Sequence, residues 1–117
     1  MRNFKELVIW NQAIELAVKV YNASRQLPKE EVYGLRSQIT RSVVSISSNI
    51  AEGCSRRTEN DFKRFLEIAL GSAFELENDL ILCEKLGLIS SEKLTEIFTD
   101  LHKEQKQINA LIDKLDK

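Results

Sequence analysis

The segment "SNIAEGCSRRTENDF", residues 48 to 62, separates two runs of apolar residues with helical spacing. Gly53 is the residue type that most easily adopts the left-handed backbone conformation that closes a helix. Thr58, followed three residues later by Asp61, is typical of a capping box at the start of the next helix. The stretch therefore predicts a helix end, a short loop and a helix start, which together form an αα-hairpin.

Helical periodicity extends outward from this hairpin in both directions. Apolar residues recur at steps of three and four over four segments, at about residues 4–26, 32–53, 59–86 and 91 to near the C-terminus. Pro28 ends the first helix and Gly87 ends the third. Ser90 or Ser91 caps the fourth. Because short connections favour antiparallel neighbours, we expect residues 1–117 to form one domain, an all-α, antiparallel up-down-up-down four-helix bundle.

The first predicted helix has more apolar surface than the seam of a single bundle needs. One stripe consists of Leu7, Trp10, Ile14, Ala17, Tyr21 and Ser24. A second stripe beside it consists of Ile9, Ala13, Leu16 and Val20. Two interpretations remain open: the stripes form one wide face toward the core, or one of them contacts another subunit.

Small residues are concentrated in the second and third helices. The second helix carries Ser37, Ser42, Ser45, Ser47, Ser48 and Asn49. Serine and asparagine are weak helix formers, so these positions either allow close helix approach or form a hydrogen-bonding surface. Gly71 lies in the middle of the third helix, where glycine costs about 1 kcal/mol relative to alanine. It indicates close approach of a neighbouring backbone, within the bundle or between subunits.

The composition predicts a cytoplasmic protein with an uneven charge distribution. No apolar run approaches the roughly 20 residues that cross a bilayer, and the N-terminus is too polar for a signal peptide. Cys54 and Cys83 are then expected to be reduced thiols. The net charge is only -1, but residues 1–57 carry nine Lys/Arg against five Asp/Glu, whereas residues 58–117 carry eight against thirteen. This distribution permits a local basic surface.

The sequence has few signals of catalysis, and we expect no enzyme activity, cofactor or metal. Its only histidine, His102, lacks the Glu-x-x-His spacing of di-iron bundles. Glu75, Glu77 and Asp79 form a short acidic run without histidine partners, which is typical of a solvated helix face. An enzyme with a metal site in this run is the least favoured hypothesis, and metal analysis of the purified protein would test it.

Basic residues provide the strongest indication of a binding function. Arg56 and Arg57 precede a predicted helix N-terminus, where backbone N–H groups and the helix dipole favour anions. Lys63 and Arg64 follow on the first two turns. Contacts to a phosphate backbone need such a convergence of cationic groups. Two more basic residues of the predicted nucleic-acid-binding set lie on the second helix, Arg36 and Arg41.

Four segments resemble a known family over nearly the whole chain. They are "LVIWNQAIELAVKVY", "YGLRSQITRSVVSISSNIAEG", "RRTENDFKRFLEIALGSAFELENDL" and "LGLIS". The chain resembles the four-helix-bundle family named for the 23S rRNA intervening sequences in which some members are encoded. The motifs "SNIAEG" and "ALGSAFEL" contain the signature positions Asn49, Glu52, Gly53, Gly71 and Ser72. Many relatives have an aromatic residue and a second glycine after "AEG", where this chain has Cys54 and Ser55.

The resemblance implies an assembly and a set of partners. It implies a ring-like homopentamer and kinship with the accessory variability protein of diversity-generating retroelements, a basic pentamer that binds a reverse transcriptase and nucleic acid. By position, the resemblance makes Arg36, Arg41, Arg56 and Arg57 candidate contacts to RNA or DNA. We expect Glu52 to pair with an arginine across the turn.

Two functional hypotheses follow from the residues and the resemblance. The first is a non-enzymatic homo-oligomer that binds RNA or another nucleic acid, or acts as a scaffold, through its basic surface. The alternative is a protein-interaction adaptor that presents exposed apolar residues such as Trp10 and never contacts nucleic acid. A salt slope that changes when the basic residues are substituted favours nucleic acid, because phosphate contacts release counterions, whereas binding carried by exposed apolar residues favours a protein partner.

Overall fold

The computed structural model describes residues 1–31 and 33–116, and over these residues it contains helices and no strand. Its four α-helices are α1 (Val8–Ser24), α2 (Leu35–Cys54), α3 (Glu59–Lys85) and α4 (Ser91–Leu115). Short turns of 3₁₀ helix cover Phe4–Glu6 and Lys29–Glu31. Each α-helix packs against its neighbour in sequence, and α1 also packs against α4. The bundle measures 43 × 23 × 20 Å, and the predicted four-helix fold is confirmed.

A separate capped turn at the N-terminus shifts the start of α1. The first helix was predicted to start at about residue 4, but α1 starts at Val8. Asn3 caps the separate turn Phe4–Glu6, and the extended backbone of Leu7 divides this turn from α1. The side-chain amide of Asn11 donates to the carbonyls of Lys5 and Leu7 at 2.9 and 3.0 Å, which stabilises this break. The predicted start of the second helix falls on Val32, which lies outside the described residues.

The predicted helix ends between α3 and α4 are confirmed. Gly87 has a φ of 70°, and the N–H of Leu88 donates to the carbonyl of Cys83 at 2.9 Å, as expected where a left-handed glycine closes a helix. Ser90, rather than Ser91, is the N-cap of α4, and its hydroxyl oxygen accepts a hydrogen bond from the N–H of Lys93. The connection between the two helices is therefore short and fixed at both ends.

The core is built from one apolar stripe of each helix, and for α1 it is the second predicted stripe. Ile9, Ala13, Leu16 and Val20 are buried. In the other stripe, Ile14 and Tyr21 remain 38% and 45% exposed, so a single wide core-facing surface is ruled out. Exposed Val18 lies beside them on α1, which leaves a solvent-facing apolar surface.

Trp10 is not the freely exposed anchor that the adaptor hypothesis expected. Its side chain is half-buried and packs edge to face on Phe4, with ring centroids 4.9 Å apart. None of the helices in the described part of the chain combines the length and the apolar character needed to cross a membrane.

Candidate nucleic-acid interface

One end of the bundle brings together the end of α2, the start of α3 and the N-terminal segment. The backbone N–H of Arg2 donates to the carbonyl of Cys54, the last residue of α2, at 2.9 Å. The hydroxyl of Thr58 accepts from the N–H of Asp61 at 3.1 Å, which confirms the predicted cap of α3. The hairpin loop is thus only four residues long, residues 55–58, and it is covered by the start of the chain.

Gly53 does not close α2, so its predicted left-handed conformation is wrong. It lies inside the helix, and Gly87 has the positive φ instead. A β-carbon at Gly53 would lie 2.8 Å from the β-carbon of Phe65 and 3.2 Å from Cδ1 of Phe62. Glycine is therefore needed because α2 and α3 pack too closely at the hairpin for any side chain.

Four arginines, which we call the arginine end cluster, lie at this end: Arg2, Arg56, Arg57 and Arg64. The guanidinium carbon of Arg2 lies 4.1 Å from the centroid of the Phe62 ring. The guanidinium carbons of Arg56 and Arg64 lie 4.7 and 4.9 Å from the centroid of the Phe65 ring. A guanidinium stacked on an aromatic face is attracted by the ring electrons and loses less freedom when it binds a ligand.

Acidic residues surround the arginine end cluster without burying its charges. The ion pairs are Arg2–Glu59 at 3.5 Å, Arg56–Glu52 at 4.0 Å and Arg64–Asp61 at 3.9 Å. The Glu52 pair confirms the arginine partner expected for this residue. These side chains are exposed, and such pairs contribute about 0–1 kcal/mol and weaken with salt. Arg57 makes no ion pair with any residue that the structure describes.

Lys63 does not add a free charge to this cluster. Its ammonium group donates to the carboxylate of Asp116, beyond the last turn of α4. This hydrogen bond raises the pKa of Lys63, because it stabilises the charged form. The side chain therefore ties α3 to the C-terminal end of the chain.

The structure separates Arg36 and Arg41 from the other predicted contacts. Arg36 lies in the first turn of α2, about 27 Å along the helix axis from Cys54. Arg41 lies five residues further on, and its guanidinium donates to the hydroxyl of Ser37 at 3.2 Å. The six predicted basic residues thus do not form one surface, since only Arg56, Arg57 and Arg64 converge.

Sequence reasoning missed Arg2. It reaches the cluster because the N-terminal segment folds over the α2–α3 hairpin, a contact that spans 57 residues to Glu59. Helical periodicity carries no information about such long-range contacts. The one local signal was Asn3, whose side chain accepts from the N–H of Lys5 and fixes the turn that directs the segment toward Cys54.

The small polar residues of α2 form hydrogen bonds to α3. The hydroxyls of Ser45 and Ser72 lie 2.8 Å apart, and the amide of Asn49 donates to the carbonyl and hydroxyl of Ser45. This arrangement explains the signature positions Asn49 and Ser72. Gly71 has no atom within 4 Å of a built β-carbon, so a close approach within the bundle is ruled out and the contact between subunits stays a prediction.

The acidic run of α3 is only in part the solvated face that was predicted, since Glu75 is exposed, Glu77 is half-buried and Asp79 is buried. Asp79 is only 5% exposed, and burial raises its pKa. Glu77 accepts hydrogen bonds from Gln105 and His102 at 2.9 Å, and the bond from Gln105, followed by that from His102, lowers its pKa. The carboxylate of Glu75 accepts from Ser42 at 3.0 Å. Within residues 1–31 and 33–116, no three His, Cys, Asp or Glu side chains are placed to hold a metal ion.

Comparisons with known proteins agree with this architecture. A crystal structure at 1.70 Å resolution of a protein with unknown function from the S23 ribosomal protein family of Bacteroides thetaiotaomicron VPI-5482 superposes with a TM-score of 0.83. The two chains are 30% identical, and the match covers 90% of this chain and 98% of the other. No curated protein sequence matches the chain.

The family assignment rests on the sequence profile as well as on the fold. The profile described as "23S rRNA-intervening sequence protein" matches residues 5–110, which include all four helices apart from the last turns of α4. It also includes the two signature motifs and the whole α2–α3 hairpin. The chain belongs to the 23S rRNA-intervening sequence protein family.

Proposed function

We propose that this protein is a non-enzymatic homo-oligomer, a pentamer, that binds nucleic acid, in particular RNA, through the phosphate backbone. The observation that carries this proposal is the arginine end cluster. Three of its guanidinium groups are held on phenylalanine rings, and Arg57 makes no ion pair with the described residues. The cluster surrounds the N-terminus of α3, whose unpaired backbone N–H groups favour an anion.

The ion pairs of the arginine end cluster are weak enough for a phosphate ligand to replace them. The acidic partners of the arginines are exposed, so a polyanion competes for each guanidinium at little cost. One protomer carries too few unpaired charges for tight binding, because every nearby acid also repels the ligand. Several copies on one assembly add their contacts, which raises the overall affinity without any new type of contact.

Two exposed apolar surfaces support self-association. The α1 patch consists of Ile14, Val18, Tyr21 and, on the neighbouring helix α2, Val44. The α3 patch consists of Ile68, Gly71, Phe74 and Leu82 on the outer side of α3. The patches differ in composition and lie on different helices. Two unlike patches suit head-to-tail association, which is the type of interface that a ring with an odd number of subunits requires.

Paired substitution of Arg56 and Arg57 tests the nucleic-acid proposal. We expect the Arg56→Ala/Arg57→Ala protein to bind a structured RNA more weakly at 50 mM salt, with the slope of log affinity against log salt reduced by about 2 for each protomer that contacts the RNA, because each phosphate contact contributes roughly one unit. The measurement is fluorescence anisotropy over a salt series. The control is Arg25→Ala, which removes an exposed arginine from the opposite end of the bundle.

The Arg25→Ala variant shows whether a loss of binding is specific to the arginine end cluster. If Arg25→Ala reduces the slope as much as the double variant does, the binding is non-specific and the end cluster is not the site. If the wild-type protein binds neither RNA nor duplex DNA, the proposal is wrong, and the adaptor hypothesis gains support from the exposed α1 and α3 patches.

A charge in the α1 patch tests the assembly. We expect Ile14→Glu to convert the oligomer into a folded monomer of 13.4 kDa, because the new carboxylate would have to be buried against an apolar surface. The measurement is light scattering after size exclusion, with circular dichroism to confirm helicity. Val8→Glu is the matched control, since Val8 is exposed on a different side of α1. An unchanged mass for both Ile14→Glu and Ile68→Glu would show that neither patch is an interface.

A further inference from the structure

A carboxyl group is buried in the seam between α1 and α4 without a partner. Glu104 on α4 is 1% exposed, and neither of its oxygens has a hydrogen-bond partner in the described part of the chain. The side-chain oxygens of Gln12 on α1 and Gln107 on α4 are also buried without a donor among the described residues. Gln107 follows Glu104 by three residues, so both side chains lie on the same side of α4.

No cation reaches Glu104 from the surrounding helices. On α1 the nearest charges along the seam are Lys19, which is held by Glu96 and Asp100 at 2.6 Å each, and Glu15. Lys103 points into a small surface cavity of about 90 Å³, which it lines together with Gln12 and Asp100. The neutral form of the Glu104 carboxyl is therefore the form that fits this environment.

The other two helices supply no compensating charge either. The inward side of α2 carries apolar residues, Ser42, Ser47 and the buried thiol of Cys54. On α3, Glu77 is held by Gln105 and His102, whereas buried Asp79 and Cys83 lie toward α2. Burial raises the pKa of Glu104 to about 8.

We propose that Glu104 is a proton-operated latch: its neutral carboxyl keeps α1 and α4 closed, and its ionisation above neutral pH hydrates and loosens this seam. An ionised carboxylate cannot remain in an apolar site without a cation or hydrogen-bond donors. A small cavity beside Gln12, lined by residues of α1 and α4, lies on this seam. The neighbouring ion pairs of Lys19 with Asp100 and Glu96 remain formed over the same pH range. The hydrogen bonds to these two carboxylates raise the pKa of Lys19, so it stays charged.

The direction of the pH effect follows from the pKa difference of Glu104. Its pKa rises from 4.5 to about 8 on folding, so its full contribution to stability is present below pH 4.5. Between pH 4.5 and 8 the unfolded chain releases the proton while the folded chain retains it. The unfolding equilibrium constant therefore rises about tenfold per pH unit over this window. Asp79 contributes in the same direction, since burial raises its pKa too.

The test compares the full-length wild-type protein with Glu104→Gln, and with Asp79→Asn as the matched control. Hydrogen exchange measured by mass spectrometry from pH 6 to 9, corrected for intrinsic exchange, reports the opening of each helix. We expect wild-type α1 and α4 to lose protection by up to about tenfold relative to α2 and α3 between pH 7 and 9, with most of the loss below pH 8, where the window closes. Glu104→Gln is expected to remove this loss and Asp79→Asn to leave it in place.

Several outcomes would overturn the latch. One is the same pH profile in the wild type and in Glu104→Gln; another is a wild-type loss of protection that is uniform over all four helices. Glu104→Met provides a second neutral side chain of similar volume. Failure of both neutral variants to fold would also overturn the proposal, because a site that holds an uncharged carboxyl must accept at least one of them.

Discussion

Replacing Phe62 by alanine is expected to lower the free energy of unfolding by about 3 to 5 kcal/mol. The ring of Phe62 is fully buried at the start of α3, beside the backbone of Gly53, and it supports the guanidinium of Arg2. The substitution therefore opens a cavity in the core and frees one arginine of the end cluster. Urea unfolding monitored by circular dichroism measures the loss.

Phe74→Ala is the matched control on the same helix. Phe74 is 56% exposed, so its truncation is expected to cost less than about 1 kcal/mol. Because Phe74 belongs to the α3 patch, the mass of this variant is measured in the same experiment. Equal losses at the two positions would show that Phe62 does not occupy the core position described here.

Gly53→Val is expected to destabilise the protein by about 3 kcal/mol, at the upper end of the range for overpacked cores. Even one added carbon would lie 2.8 Å from the β-carbon of Phe65, which is fixed to the α3 backbone and cannot rotate away. The two helices would have to separate at the hairpin. The urea midpoint and the affinity for RNA report this separation, because Arg56 and Arg64 share the ring of Phe65.

Gly71→Val provides the comparison for Gly53→Val. No atom lies within 4 Å of a β-carbon at Gly71, so valine there is expected to change the stability of the folded chain by no more than about 0.5 kcal/mol. If the α3 patch is a subunit interface, the same variant reduces the mass of the assembly. A loss of stability at Gly71 as large as that at Gly53 would contradict the helix packing described for α2 and α3.

The elements that depend on local chemistry could be predicted from the sequence. The helices, the cap at Thr58 and the left-handed Gly87 follow from residue type and spacing alone. Gly53 was assigned to the wrong conformation because a glycine near a helix end serves equally well as a cap or as a site of close packing. Only the position of α3 against α2 distinguishes these roles.

The composition of the candidate interface was only partly predictable. The sequence places three arginines close together, at Arg56, Arg57 and Arg64. Arg36 and Arg41 lie near the other end of α2, far from the hairpin. Sequence spacing along one helix gives this separation, and it could have excluded the two residues. Arg2 could not have been assigned, since its position depends on a long-range backbone hydrogen bond to Cys54.

The burial of Glu104 could have been predicted from its position in the apolar stripe of α4. The core stripe of α4 runs through Ile97, Leu101 and Ile108 at steps of three and four, and Glu104 occupies the position between the last two. A charged residue in such a stripe is exposed by a local break of the helix, buried with a charged or hydrogen-bonding partner, or buried in neutral form, and no described residue partners Glu104. The continuous helix Ser91–Leu115 leaves the third explanation.

Sedimentation of the protein with a structured RNA, at 50 and 300 mM salt, tests oligomerisation and RNA binding together. It reports the mass of the free assembly and of any complex in one experiment. We expect an assembly of about 67 kDa, five chains of 13.4 kDa, that sediments with the RNA at 50 mM salt and separates from it at 300 mM. A free chain of 13.4 kDa that sediments apart from the RNA at both salt concentrations would contradict it.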